Sequence, residues 1–425
     1  MEIRSLVKNF VSLMGAEAFT KLITFAAFAY LARLFGPAGF GVIEWSLAVL
    51  MCASLIVDQG FSAYGAREIA RKPDNSGRLV AEIVTARFLL AFFGYAAVAA
   101  FSLIYVQDTT VQGLMLIYGL SLWGLPLLLQ WAFQGHDRMY LVAWIQLVRQ
   151  SIFVAFIFVC VRERDDLLLV GAAEVAAVTT AAMLSVWLYG RNFSKITTLR
   201  PALSTKLFRE GVPIGISQMF WVVKMFGATL ILGLVATLED TGYFAAAMRI
   251  LIAVHTFVWL YYFNLLPSFS RAWQNGGEKL AVLIGNSMRI VLLASILVGI
   301  VWILAAPYVM KIVYGEAFIS GGVALQWMAA VCVAAAISGH YRFGLIAAGF
   351  QKQEMLTSGL GALLAALLIP IGYSQAGTSG AAAALVVAEL GILLSAWLIA
   401  KRTILKRQTH GVAETIVENL STQQT

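Results

Sequence analysis

The sequence predicts an all-α, polytopic membrane protein with twelve transmembrane helices in two six-helix bundles. Three observations predict it. Of the 425 residues, 60% are hydrophobic and only 12% charged, against roughly 45–50% apolar and about 25% charged in soluble domains. Apolar stretches long enough to cross a bilayer, about 20 residues each, recur along the whole chain with no long polar segment between them. Lys and Arg concentrate in alternate connections, the pattern that sets membrane topology. Together these exclude a soluble enzyme and a disordered chain.

In order, the spans are expected at 9–33, 40–62, 79–106, 112–133, 141–161, 167–189, 210–236, 242–266, 280–305, 319–345, 357–375 and 379–400. Glu17 and Lys21 interrupt the first apolar run, and no small-residue cleavage site follows, so it is read as a span and not as a signal peptide. Pro126 and Pro370 fall inside spans four and eleven and predict kinks there. Pro213, with Gly211 and Gly215, opens span seven and predicts close packing. The longest inner connection separates an N-terminal bundle, 1–189, from a C-terminal bundle, 210–400, through a cytoplasmic linker, 190–209. A tail, 401–425, begins basic and becomes polar.

With the N-terminus in the cytoplasm, the inner segments carry Arg4 and Lys8, then Arg67, Arg71, Lys72 and Arg78, then Arg138. Arg191, Lys195, Arg200, Lys206 and Arg209 follow, then Arg271, Lys279 and Lys352, and finally Lys401, Arg402, Lys406 and Arg407. The outer segments carry only Arg33, Arg162, Arg164 and Lys311, against acids such as Asp108, Asp165, Asp166, Glu239 and Asp240. Both termini are therefore placed on the cytoplasmic side of the membrane. The net charge of +8 is mostly a topology signal and needs no nucleic acid to explain it. All outer loops are short, which leaves no room for the large external domain on which a membrane glycosyltransferase or polymerase would carry its catalytic groups.

The two halves resemble each other. Lys21 and Lys224 are separated by 203 residues, as are Gly39-Phe40 and Gly242-Tyr243. Thr85-Ala86-Arg87 resembles Ser287-Met288-Arg289 at nearly that offset, and Ala173-Glu174-Val175 resembles Ala388-Glu389-Leu390. Six spans per repeat put both repeats in the same orientation, with a substrate site expected between the bundles.

The charges inside the spans carry the functional expectation. A charge at mid-bilayer costs about 2.5–3.5 kcal/mol on insertion scales, so it persists only beside a partner or a wet cavity. Lys21, Arg87, Arg149, Lys224, Arg249 and Arg289 lie about 10–21 Å inside their spans at 1.5 Å per residue. Arg342, near an inner end, is expected to snorkel. The deep acids are Glu17, Glu44, Glu174 and Glu389. Structural pairings are open for several of these groups: Glu17 with Lys21, Glu82 with Arg87, and Glu174 or Glu389 with an Arg on a neighbouring helix. The excess of cations over both halves predicts a cationic cavity and an anionic substrate, and guanidinium groups suit phosphate oxygens. Glu174 and Glu389, at matching positions, are candidate carriers of a coupling proton. Asp58 is expected to pair with Arg67 or Arg71.

Cys52, Cys160 and Cys332 lie in apolar runs and are expected as small core residues. His136, His255, His340 and His410 show no metal-ligand spacing. No cofactor is expected beyond a coupling ion, H⁺ or Na⁺. Trp221, Trp259, Tyr261 and Tyr262 are expected in interfacial belts or packing.

Four stretches carry a family resemblance. They are RLFGPAGFG at 33–41, DQGFSAYGAREIAR at 58–71, FQGHDRM at 133–139, and the segment from Pro307 to Phe318 with Tyr314-Gly315-Glu316. The chain resembles the Wzx-type O-antigen and oligosaccharide repeat-unit flippases, in the superfamily that includes multidrug and toxin extruders and lipid II flippases. The resemblance covers most of the chain, is most specific in the opening 70 residues and is looser in the C-terminal half. It implies a V-shaped pair of bundles and a cationic central cavity. It further implies alternating-access translocation of an undecaprenyl-diphosphate-linked repeat unit from the inner to the outer leaflet. Asp58, Gly60, Arg67 and Arg71 match the family's cytoplasmic motif. The implied partners are the lipid-linked oligosaccharide and membrane lipid, with a polysaccharide polymerase and chain-length regulator as further candidates. A drug/cation antiporter of the same superfamily is the competing expectation, and it calls for an acid-dominated cavity.

Overall fold

Long apolar runs in a bilayer have one way to satisfy their backbone groups internally without closing a barrel, which is to be helical. The computed structural model describes residues 3–193 and 205–405; side chains are described from Thr20 onward, except at several positions between 213 and 225 and at Leu405. Among these the elements are helices and short 3₁₀ and π turns. The longer helices are α1 (Ile3–Asp58), α3 (Ser76–Tyr105), α6 (Met139–Cys160), α7 (Leu167–Asn192) and α8 (Thr205–Val235). They continue with α9 (Leu238–Gln274), α10 (Gly277–Tyr314), α11 (Gly322–Ala347) and α12 (Gln351–Ala400). Between them lie α2 (Phe61–Arg71), α4 (Thr109–Leu120) and α5 (Gln130–Gly135).

The twelve expected spans follow once two long helices are divided. The 56 residues of α1 are broken at Gly36 (φ 68°), immediately before Pro37. Only glycine adopts that left-handed conformation without strain, and the following proline disfavours helix in the residue before it. This Gly-Pro pair turns span one into span two. The backbone of α12 leaves helical geometry at Ala376 and Gly377 (φ 60°), which separates spans eleven and twelve.

Several boundaries differ from expectation. Span two ends at Asp58, not at 62. Gln59 (φ 43°) and Gly60 (φ 75°) reverse the chain, and 61–71 forms a separate helix, α2. Its apolar residues Phe61, Tyr64, Gly65 and Ile69 are buried, while Arg67 and Arg71 are exposed. That one-sided pattern is the mark of a helix lying along a bundle's rim. Span four does not merely kink at Pro126. Helix α4 stops at Leu120, two 3₁₀ turns cover Ser121–Trp123 and Leu125–Leu127, and α5 resumes at Gln130. Conversely, the backbone stays helical through Pro370. Cys160 is exposed, because it closes α6 at the outer end, whereas Cys332 is buried.

The chain divides into two compact units, Met1–Phe226 and Gly227–Thr425. The division falls within α8 and not in the 190–209 connection, since the first half of α8 packs on the first unit. A Cβ on Gly211 would lie 2.7 Å from the Phe61 ring, and one on Gly215 would lie 2.6 Å from the Gln59 carbonyl carbon. The first unit's inner end holds a core of Phe61, Tyr64, Ile83, Trp131, Phe133 and Tyr189. The second unit has its own inner-end core of Phe269, Leu280, Ile284, Leu345 and Ile404. Residues 194–204 with Lys195 and Arg200, the tail from 406 with His410, and the side chains of Glu17, Pro213, Trp221 and Lys224 lie outside what the structure describes.

Candidate functional site

The first unit carries a polar network where spans two, three and four meet α2. Asp58 ends span two, and the reversal at Gln59–Gly60 brings Ser62 back beside it. The Ser62 hydroxyl donates to Asp58 Oδ1 at 2.8 Å. Arg87, eleven residues past the start of α3 at Ser76, forms an ion pair with the same carboxylate oxygen and donates through Nη2 to Ser62 Oγ at 2.5 Å. Its guanidinium stands 5.9 Å from the Trp131 ring of α5, within cation–π range. The Arg87 side chain is 5% exposed and that of Asp58 27%, so the pair runs from a dry interior toward the inner surface.

This overturns one expected pairing and closes an open one. Asp58 binds Arg87 and not Arg67 or Arg71, and Arg87 takes Asp58 and not Glu82. The turn after Asp58 sends Arg67 and Arg71 outward along α2, where they face other acids. Arg67 pairs with Glu210 of α8 at 2.5 Å and with Glu68 at 3.5 Å, and Arg71 meets Glu68 at 3.3 Å. Ser62, Trp131 and Glu210 were not singled out from sequence. The Ser-x-x-x spacing from Asp58 was the available signal for Ser62. Nothing local announces Trp131 or Glu210.

Deeper in the same unit, Arg149 of α6 pairs with Glu174 of α7 at 2.5 Å, with side chains 23% and 12% exposed. Glu174 thus takes the Arg partner that the sequence left open. Glu44 is buried, and Lys21 is exposed on α1.

In the second unit, Glu389 is 2% exposed and accepts from the Ser338 hydroxyl at 3.0 Å. Arg249 is half-buried on α9 and Arg289 exposed on α10. Arg342 does not simply snorkel. It donates to Glu354 at 2.9 and 2.5 Å and to Ser358 at 2.9 Å, joining α11 to α12. Tyr262 is buried, its hydroxyl donating to the Ala336 carbonyl and lying 2.6 Å from His340 Nδ1, so it belongs to the core and not to an interfacial belt.

His136, in the FQGHDRM stretch between α5 and α6, stacks on Phe193 with ring centroids 4.0 Å apart. Burial, then the nearby Arg138, push its pKa below the usual histidine value. The folded state therefore favours the neutral ring. Its contribution to stability is full above the unfolded pKa near 6.5 and is lost as pH falls through the lower folded value. The thermal midpoint of the purified protein is expected to drop more steeply below pH 6.5 in the wild type than in His136→Phe. Identical profiles would show that His136 has no part in acid sensitivity.

Similarity to known proteins follows this geometry. The profile of the family described as polysaccharide biosynthesis protein matches residues 6–273. A protein of Escherichia coli (strain K12) described as "Putative O-antigen transporter" is 21% identical over 386 residues, covering 86% of this chain and 90% of its own length. A Shigella dysenteriae protein of the same description is 24% identical over 187 residues, 44% of this chain and 47% of that one. Among solved structures, an inward-facing multidrug resistance MATE family transporter of the MOP superfamily superposes with TM-score 0.72 at 13% identity. The match covers 92% of this chain and 96% of that one. A lipid II flippase in an inward closed conformation gives TM-score 0.70 at 15% identity, over 97% and 93%. The fold is the all-α, multi-pass fold of these transporters, and the chain belongs to the polysaccharide biosynthesis protein family.

Proposed function

We propose that the protein is a flippase of the bacterial inner membrane. It translocates undecaprenyl-diphosphate-linked oligosaccharide repeat units, of O-antigen or a related surface polysaccharide, from the cytoplasmic to the periplasmic leaflet by alternating access. The observation that carries this reading is the excess of cations at membrane depth in both halves. Arg149, Arg249 and Arg289, with Lys21 and Lys224, are the proposed contacts for the diphosphate. Arg87 drops out of that set in this reading, because its side chain is 5% exposed and enclosed by Asp58 and Ser62, whereas Arg149, 23% exposed, stays partly accessible beside Glu174. The relatives described as O-antigen transporters support the substrate class. Glu389 and Glu44, both buried, are the proposed coupling carboxylates; Glu17 remains an expectation of the sequence alone, and Glu174 is already committed to Arg149.

A drug/cation antiporter is the second reading, and the fold likeness to multidrug MATE transporters favours it. The two are separated by a deletion strain. The flippase reading expects loss of surface polymer and accumulation of single undecaprenyl-linked repeat units on the cytoplasmic side. Unchanged surface glycan with raised sensitivity to cationic drugs would overturn it in favour of the antiporter.

A further inference from the structure

Helix α6 has two opposed faces. Trp144, Ser151 and Ala155 are exposed on one. On the other, toward the protein, stand Gln146, Arg149 and Gln150, followed by the buried Phe153 and Ile157. Residues three and four apart share a helix face, so the polar residues form one continuous patch. Gln130 of α5 borders it, donating through Nε2 to Gln146 Oε1 at 3.3 Å. Glu174 of α7 borders it on Arg149, at 2.5 Å. Toward the C-terminal end of α6 the patch stops at Phe153, which stacks on Phe28 of α1 with ring centroids 5.7 Å apart. All of these residues belong to the first unit.

Three carboxamides at membrane depth are costly unless their polar atoms find partners. Gln130, Gln146 and Gln150 are half-buried, and the two on α6 point away from its exposed face. Packing uses little of their capacity. A carboxamide carries two N–H donors and a carbonyl with two lone pairs. The bond from Gln130 to Gln146 takes one donor and one acceptor, and among the described residues no hydrogen bond or ion pair occupies Gln150. The patch therefore presents several donors and acceptors side by side.

Its charge says what they suit. Arg149 and Glu174 are neutral as a pair, and the carboxamides add no charge. Uncharged groups that both donate and accept match hydroxyls, which do the same. Gln146 and Gln150 are one turn apart, about 6 Å along the axis at 1.5 Å per residue, and Arg149 lies between them. A single sugar ring against α6 can reach both carboxamides while its phosphate stays beside Arg149.

Resting on the flippase reading, we infer that Gln146 and Gln150 are specificity residues that hydrogen-bond the hydroxyls of the sugar nearest the diphosphate, with Gln130 orienting Gln146 for that contact. They distinguish lipid carrying sugar from the bare lipid diphosphate.

Full-length protein in phosphatidylethanolamine nanodiscs is titrated with two probes, and occupancy is read by native mass spectrometry. One probe is undecaprenyl diphosphate; the other is the lipid-linked repeat unit isolated from the deletion strain. Gln146→Leu and Gln150→Leu are each expected to weaken repeat-unit binding about 3- to 10-fold, the worth of a neutral hydrogen bond, and to leave undecaprenyl diphosphate binding unchanged. Ser151→Ala, on the exposed face, is expected to change neither. A merely structural role would move both probes together, so the ratio of the two affinities is the readout, with monodisperse elution as the control for folding. If Gln146→Leu does not fold, Gln150→Leu still decides. An unchanged affinity ratio in Gln150→Leu overturns the inference and leaves the flippase reading standing, as does a wild type that binds both probes equally. A deletion strain that accumulates no repeat unit, or a wild type that binds neither probe, overturns the flippase reading and the inference with it.

Discussion

Asp58→Ala is expected to be among the most damaging single changes in the first unit. It leaves the Arg87 guanidinium, whose side chain is only 5% exposed, without its counter-charge. Breaking a buried pair from one side costs about 3–5 kcal/mol, because the remaining charge stays desolvated. Arg87→Met is expected to cost less. The carboxylate it leaves behind is 27% exposed and can turn to water, and the methionine keeps part of the packing against Trp131. The double variant is expected to recover much of the loss, since it removes the desolvated charge altogether. Thermal midpoints of detergent-purified protein, followed by size-exclusion chromatography, give the ordering. A midpoint for Asp58→Ala equal to wild type would show that the pair contributes nothing net.

The second large effect is expected at Gly215, where α8 passes the chain reversal after span two. A Cβ there would lie 2.6 Å from the carbonyl carbon of Gln59 and 2.8 Å from its oxygen. The obstacle is backbone in a left-handed turn, φ 43° at Gln59 and 75° at Gly60, which has no side chain to swing aside. Overpacking a fitted interface costs typically about 1–3 kcal/mol, and Gly215→Val falls at the upper end because both added methyls enter the same contact. The whole first half of α8 is expected to lift, parting Glu210 from Arg67. The readout is proteolytic cleavage near 205–215 and a lowered thermal midpoint. Resistance equal to wild type would mean that α8 does not depend on this contact. Gly190, beside which a Cβ would meet nothing within 4 Å, is the control: Gly190→Ala is expected to be neutral or slightly stabilising, as alanine favours helix.

The same residues show where sequence reasoning reaches and where it stops. Span number followed from apolar length, and the division at Gly36-Pro37 from two residues whose backbone preferences are local. Pro126 was visible as a disturbance, but not as a break into 3₁₀ turns, because proline's effect depends on whether neighbouring helices hold the chain helical. Pro370 shows the opposite outcome. Helix α2 was missed as an element because its apolar residues continue the hydrophobicity of span two; only the positive φ angles at 59 and 60 separate them, and no pattern rule reads those.

The charges divide in the same way. Composition and depth alone placed more cations than acids inside the expected spans, because the cost of a charge in hydrocarbon does not depend on the neighbours' identity; among the described residues the buried charged side chains are Arg87, Glu44 and Glu389. Which acid each cation meets depends on how helices far apart in sequence are rotated against each other, and that belongs to packing. Arg149 with Glu174 was among the pairings left open; Asp58 with Arg87 was not, since it requires the chain to reverse at Gly60. The sequence by itself determined an all-α, membrane-embedded chain with more cations than acids inside its expected spans. Only the tertiary structure decided that Arg87 is locked in an ion pair and Arg289 exposed, because an ion pair forms between surfaces that meet only after folding.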